Sequence, residues 1–469
     1  MGLDSDIRPV AAELYFLPVS SRASHSSETG TLSSLMCARA RVRVVDRRGR
    51  TAEGWGETLL NAEEIWPGPG PCDERMAALQ QFSRELVPLW AAIRTEGHPL
   101  EVGYAFLETV LPGFWQGFNQ RHRRGREPMP WRASLACGSA LDLATHDAFG
   151  HLVTRPIYET YTRAFLTYDL SRYLQPAPAS VVDFRGLYPA DFLLSKRRER
   201  LLAWHRVHET DPVDLSGERG PQVEEGHLIL LPDWIQRDGL RCLKIRLRGH
   251  DPAWDYHRLV QIGQIALAHD VFWLAADFGS VACGSSGVTD LLDRLRDEHP
   301  RLYGMLLFVE LPFGSEVRAH STDFQAVAAR KPLFLDASAH DWRELRLARQ
   351  LGWTGLVVKT CMTQTLALLT ACWARAHGML LMVGDTGNPM LAQIPHLLLA
   401  AHLPTWMGVE TWSMQLYPAA SEPEAGIHPG LYRRQHGCVD LATVQGPGFG
   451  YEAARIRRQL PAPVVVCGF

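Results

Sequence analysis

From residue 242 onward, short apolar runs alternate with longer amphipathic stretches, and each short run closes on a charged residue or a glycine. The runs are CLKIRL, VFWLAAD, MLLFVE, PLFLD, GLVVK, MLLMVG and TWMGVE. With Lys244, Asp277, Glu310, Asp336, Lys359, Gly384 and Glu410 as markers, the intervals are 33, 33, 26, 23, 25 and 26 residues. That is about one strand–helix unit per step. The stretches between them (252–269, 287–297, 321–330, 341–351, 363–377 and 390–402) have helical spacing. Strands alternating with helices pair in parallel through right-handed crossovers. With YTRAFLTY (161–168) as an eighth strand, the expected fold is α/β, a modified (β/α)8 TIM-type barrel. The functional side chains of such a barrel belong at the C-terminal ends of its strands.

The rest of the chain frames this barrel. MCARARVRVVD alternates, RRGR turns and TAEGWGE follows, which reads as strand, turn, strand. Residues 74–95 read as a helix, RHRRGREPMP as a solvated connector, and WRASLACGSALDLATHDAFGHL as a second helix. The last residues, PAPVVVCGF, form a strand that needs a partner. The expected domains are an N-terminal α+β cap over 1–130, the barrel over 131–410, and a segment over 411–469 that returns to the cap. An insertion interrupts the barrel at about 171–229. Its SKRRERLLAWHRVHE reads as a charged amphipathic helix that could cover the mouth or make a subunit contact.

Bulk properties narrow the function. A chain of 469 residues with 46% hydrophobic content can bury a large core. Forty-eight Lys and Arg against 51 Asp and Glu give a net charge of −3, which advertises neither nucleic acid nor an anionic membrane as a partner. MGLDSDIRPV has no apolar signal segment, and no apolar stretch is long enough to span a bilayer. Nine cysteines without a CxxC pair argue for a reducing, cytoplasmic setting and against a zinc ribbon.

The strand ends suggest chemistry. Asp277, Glu310 and Asp336 fall on three consecutive strand tips, where they would repel one another unless neutralised. Each could cap a helix or pair with an arginine; together they suit a hard cation such as Mg²⁺. Lys244 and Lys359 flank them. A lysine whose pKa is lowered by neighbouring positive charge can act as a general base, and a metal-bound carboxylate would stabilise the ene-diolate left by loss of an α-proton.

These residues resemble the enolase superfamily, in its mandelate racemase and muconate lactonizing enzyme branch. RVRVVDRRGRTAEGWGE is similar to that branch's capping strands, ending in G-x-G-E. ACGSALDLATHDAFGHLVTRPIYE is similar to its linking helix. CLKIRL, LAADFGS, FVELPF and LFLDAS are similar to its second to fifth strands, and VVKTCMTQTLALLTACWARAHGMLLMVGDTGNPM to its sixth and seventh. The resemblance implies Mg²⁺ ligation by Asp277, Glu310 and Asp336, acid–base lysines at the Lys244 motif and at Lys359, and an acid, Glu410, near the substrate carboxylate. The lysine on the sixth strand points to the muconate-lactonizing-like subgroup. There are departures. The usual K-x-K reads KIR, so Arg246 stands at the base position, and a guanidinium stays protonated. Gly279 stands where Asn is common, and Ala337 where an acid is expected.

The function expected from the sequence is Mg²⁺-dependent abstraction of the proton α to a carboxylate, as in a dehydratase (a lyase) of a hydroxy or sugar acid. One alternative is an epimerase, racemase or cycloisomerase of the same branch. Another is a catalytically degenerate barrel that binds metal and ligand. A small-molecule carboxylate and a homo-oligomer are the expected partners. Substrate specificity is assigned to loops around 20–35 and 55–70 and to the insertion.

Overall fold

The computed structural model describes residues 2–20, 35–213, 229–279, 284–311, 324–336 and 342–469. An N-terminal α+β region precedes a curled, mostly parallel sheet, the arrangement of a modified (β/α)8 barrel with a capping domain. In the cap, β1 (Ile7–Val19), β2 (Leu35–Asp46) and β3 (Thr51–Leu60) pair as an antiparallel meander. The helices Cys72–Ala91, Pro99–Thr109 and Leu111–His122 follow. Helix Trp131–Val153 lies across β3 at backbone contact. A side chain at Gly54 would strike the backbone of Ala148, and one at Gly56 that of Ala140 and Ala144. The G-x-G spacing is therefore a packing requirement.

Eight parallel strands follow: β4 (Arg200–Val207), β5 (Cys242–Leu247), β6 (Trp273–Phe278), β7 (Leu306–Leu311), β8 (Leu333–Asp336), β9 (Gly355–Val358), β10 (Leu380–Val383) and β11 (Val409–Glu410). Each pairs with the next from β4 to β10, and β11 returns to pair with β4. Trp406 donates a hydrogen bond of 2.8 Å to the carbonyl of Leu381, bridging the remaining gap between β10 and β11. The C-terminal segment adds β12 (Cys438–Asp440), antiparallel to β4, and β13 (Val465–Cys467), antiparallel to β1. It is tied to the cap through buried Arg39, which meets Glu57 at 2.5 Å and Glu424 at 3.1 Å.

Strand alternation builds the barrel interior in layers. Trp204, Cys242, Ala275, Phe308, Phe334, Val357 and Met382 pack into an apolar plug. Two residues further along the same strands stand Arg206, Lys244, Asp277, Glu310, Asp336, Lys359 and Gly384. A charged layer therefore sits directly on an apolar one.

The sequence expectations for the first barrel strand and for the insertion are corrected. YTRAFLTY is not a strand. The backbone amides of Thr167 and Tyr168 donate to the Glu101 carboxylate at 2.8 and 2.9 Å, which takes them out of any sheet. The first barrel strand is β4, which lies inside the presumed insertion. It falls in the stretch read as a charged helix, where burial of Leu201, Ala203 and Trp204 overrides the local charge pattern. Of the helix expected at 321–330, Gln325–Ala328 is helical and residues 321–323 lie outside the described residues. Residues 21–34 and Ala337, which figured in the reading of specificity and of the acid after Asp336, lie outside the described residues. Among the described residues, no helix is long and apolar enough to cross a membrane.

Candidate functional site

The mouth of the barrel holds a cavity of about 250 Å³ lined by Glu64, Arg132, Arg206, Lys244, Arg246, Asp277, Gly279, Glu310, Asp336 and Lys359, among others. Register explains the grouping. Arg206 is paired with Lys244 across β4 and β5, Arg246 with Asp277 across β5 and β6, and Asp277 with Glu310 across β6 and β7. Asp336 ends β8, and Lys359 directly follows β9. Glu410 ends β11 and reaches the same group through Lys244. The cap contributes Glu64 from the turn Ala62–Ile65, which Asn61 caps. Arg132 clamps that turn by donating to the carbonyls of Ile65 (2.9 Å) and Glu64 (2.6 Å).

The three strand-tip acids do converge, but their charge is met by the chain's own cations. The Lys244 ammonium lies 2.8 Å from Glu310, 3.0 Å from Glu410 and 3.8 Å from Asp277. Arg246 donates to Asp277 at 3.0 Å, and Arg206 stands 3.8 Å from both Asp277 and Glu64. Lys359 donates to Asp336 at 2.8 Å. Five carboxylates thus share four cations. Among the described residues, no group of three or more His, Cys, Asp or Glu side chains is arranged to hold a metal ion.

This overturns the expected Mg²⁺ site at Asp277, Glu310 and Asp336, and with it the Mg²⁺-dependent lyase or isomerase reading. The physical reason is occupancy by charge: a tethered ammonium lies between the acids that a dication would have to bridge. Glu310 Oε2 and Glu410 Oε1 are buried without a hydrogen bond. The first still faces the Lys244 ammonium as an ion pair at 2.8 Å, off the direction a hydrogen bond needs.

Electrostatics also correct the expected base. Burial alone would lower the Lys359 ammonium, but the charges of Asp336 and Glu310 outweigh it and raise its pKa. Lys244 behaves likewise: burial opposes its charge, while Glu310, Glu410 and Asp277 hold it on. Neither lysine is poised near neutrality, because acids rather than cations dominate their surroundings. Burial pushes the Glu310 carboxyl up to about 7, against the pull of Lys244. Burial would raise Asp277 too, but Arg246, Lys244 and Arg206 draw it far below the usual carboxylate range.

Reading the sequence did not find Arg206 and Glu64. Arg206 was hidden in the segment read as a helix. Its one signal is its position near the end of the apolar alternation LLAWHRV, the same pattern that marks the other tips. Glu64 lies on the cap and carries no barrel signal at all.

No protein-family profile matches the chain. No curated protein matches it either. Solved structures do. A member of the enolase superfamily from Roseovarius nubinhibens ISM is 16% identical, with 98% of this chain and 99% of that one covered and a TM-score of 0.59. N-succinyl Arg/Lys racemase from Bacillus cereus ATCC 14579 is 14% identical, over 94% and 95% of the two chains, with a TM-score of 0.58. Muconate lactonizing enzyme from Klebsiella pneumoniae is 14% identical, over 96% and 100%, with a TM-score of 0.54. At such identities the likeness is one of fold. It runs the full length of the chain and spans several enolase-superfamily branches rather than a single subgroup.

Proposed function

We propose that this protein is a catalytically degenerate barrel of the enolase-superfamily fold that holds a small carboxylate ligand in its mouth without a metal. The observation that carries this reading is the Lys244 ammonium, 2.8 Å from Glu310 and 3.8 Å from Asp277, two of the acids a dication would have to bridge. Two further features support it. Lys359, the expected base, is held protonated by Asp336. Arg246, at the other base position, cannot give up its proton at physiological pH. Proton abstraction on either face then lacks an acceptor, whereas a half-enclosed cavity lined by the guanidinium groups of Arg206 and Arg246 still suits an anion. Within the fold group we read the chain as nearest the muconate-lactonizing-like side, on the strength of the lysine after β9. A cytoplasmic setting agrees with the free thiols of the described cysteines, and a homo-oligomer remains an expectation of the same reading.

The test is thermal stabilisation by a panel of hydroxy acids, sugar acids, dipeptides and N-succinyl amino acids, each with Mg²⁺ and with EDTA. Proton exchange in D₂O is followed by NMR on the same samples. At least one acid should raise Tm equally in both conditions, with no α-proton exchange. Mg²⁺-dependent exchange, or a Tm that no acid raises, would reject the proposal.

A further inference from the structure

The mouth contains two guanidinium groups whose hydrogen-bonding capacity is largely unspent. Arg206 is buried, with its side chain 6% exposed, and among the described residues its guanidinium donates no hydrogen bond. Its Nε is buried without a partner, and its nearest carboxylates, Glu64 and Asp277, both stand off at 3.8 Å. A buried guanidinium in this state is costly unless something accepts its protons. The ring of Trp412 backs it, 5.3 Å from the guanidinium carbon. Arg246 is 31% exposed at the side chain and donates from one nitrogen only, to Asp277. The other mouth cations are committed: Lys244 to three acids, Lys359 to Asp336, and Arg132 to the carbonyls of the cap turn.

Gly279 explains how Arg246 is held. A Cβ at that position would lie 2.9 Å from one terminal nitrogen of Arg246, 3.1 Å from its guanidinium carbon and 3.1 Å from the Leu247 carbonyl. The guanidinium lies against bare backbone, in space that any side chain at 279 would claim. The arginine at 246 and the missing side chain at 279 are therefore one structural feature.

We propose that Arg206 and Arg246 form a two-guanidinium receptor for the carboxylate of the ligand, with Trp412 and Gly279 as the surfaces that position them. The proposal rests on the ligand-binding reading above and names the residues that read the ligand's charge. Arginine forks suit a planar carboxylate better than point charges do, and both forks line the same cavity.

The probes are succinate, L-malate and N-succinyl-L-lysine, with succinamide as the uncharged control. Affinity is followed by calorimetry and thermal shift. The wild type should bind at least one acid and ignore succinamide. Gly279→Ala should fold, because the nearest atom it displaces is the far end of a flexible side chain and the Leu247 carbonyl at 3.1 Å has to give by only a few tenths of an ångström, and it should bind that acid about tenfold more weakly. Arg206→Met should lose binding. Arg246→Lys should weaken binding too, and in that background Gly279→Ala should cost little more, since a lysine does not need the space; such non-additivity is the signature of coupled residues. If the wild type binds an acid and Gly279→Ala and Arg246→Lys bind it equally well, the receptor is wrong while the ligand-binding reading stands. If no probe and no acid of the wider panel binds the wild type, both fail together.

Discussion

Among single residues, Lys244 decides most. It was legible from the sequence as a strand-tip lysine, but its role was not, because role depends on which groups face it across three other strands. Sequence spacing suggested that cations would crowd the site and lower the lysine pKa values. The folded chain instead surrounds both lysines with acids, and the shift reverses. Removing one partner of a buried ion cluster leaves the others uncompensated. Lys244→Met should therefore destabilise the protein by about 3–5 kcal/mol, read by urea denaturation at neutral pH. Adding Glu310→Gln should recover part of that loss, since it deletes one of the stranded charges. Glu310→Gln alone should leave the response of Tm to Mg²⁺ where the wild type has it, near zero. A Lys244→Met variant as stable as the wild type would mean that the ammonium does not hold the acids together.

Single elements show where pattern reading works and where it breaks. The runs from CLKIRL to MLLMVG could be read as strands because each is short, apolar and bounded, and the structure has a strand in every one. β4 escaped because the residues leading into it are dense in arginine and the run itself carries His205 and Arg206. What makes it a strand is tertiary: Trp204 fills the apolar plug, tilted against Phe308, and its indole donates 2.6 Å to the Met407 carbonyl just before β11. YTRAFLTY was misread for the converse reason, since nothing in its own pattern reveals that Glu101 takes its amides. Trp204→Phe should keep most of the packing and lose the link to β11. Trp204→Ala should cost about 3–5 kcal/mol and loosen the pairing of β4 with β11. Hydrogen exchange at Val409 and Glu410 would register that loosening, and unchanged protection there in Trp204→Ala would refute the assignment of this residue as the closure of the barrel.

At the scale of the whole molecule, the fold depends on keeping several buried imidazoles neutral. His146 sits where the cap helix meets the barrel, 3.1 Å from Thr365 and 2.9 Å from the Tyr161 hydroxyl, and burial lowers its pKa to about 3. Burial also lowers His98 and His205 well below the ordinary imidazole value, and His402 to about 4. A group whose folded pKa lies below its unfolded value contributes stability that is fully present above the unfolded pKa, near 6.5, and is lost as pH falls toward the folded one. For His146 alone the loss is about 2 kcal/mol at pH 5. Buried carboxyls with raised pKa values, among them Asp142 and Glu310, act in the opposite sense. Burial raises Asp142 to about 6 and Glu310 to about 7, so their contribution is fully present below the ordinary carboxyl range and fades as pH rises through those values. The deeply lowered histidines all pick up protons in the unfolded chain within this window, so stability should decline from pH 7 to pH 5 rather than pass through a maximum there. The decline should be shallower in His146→Gln, whose side chain carries no titrating proton. Urea midpoints across this range, for the wild type and that variant, provide the measurement. A wild type more stable at pH 5 than at pH 7 would show that the buried carboxyls, not the buried histidines, govern its acid response.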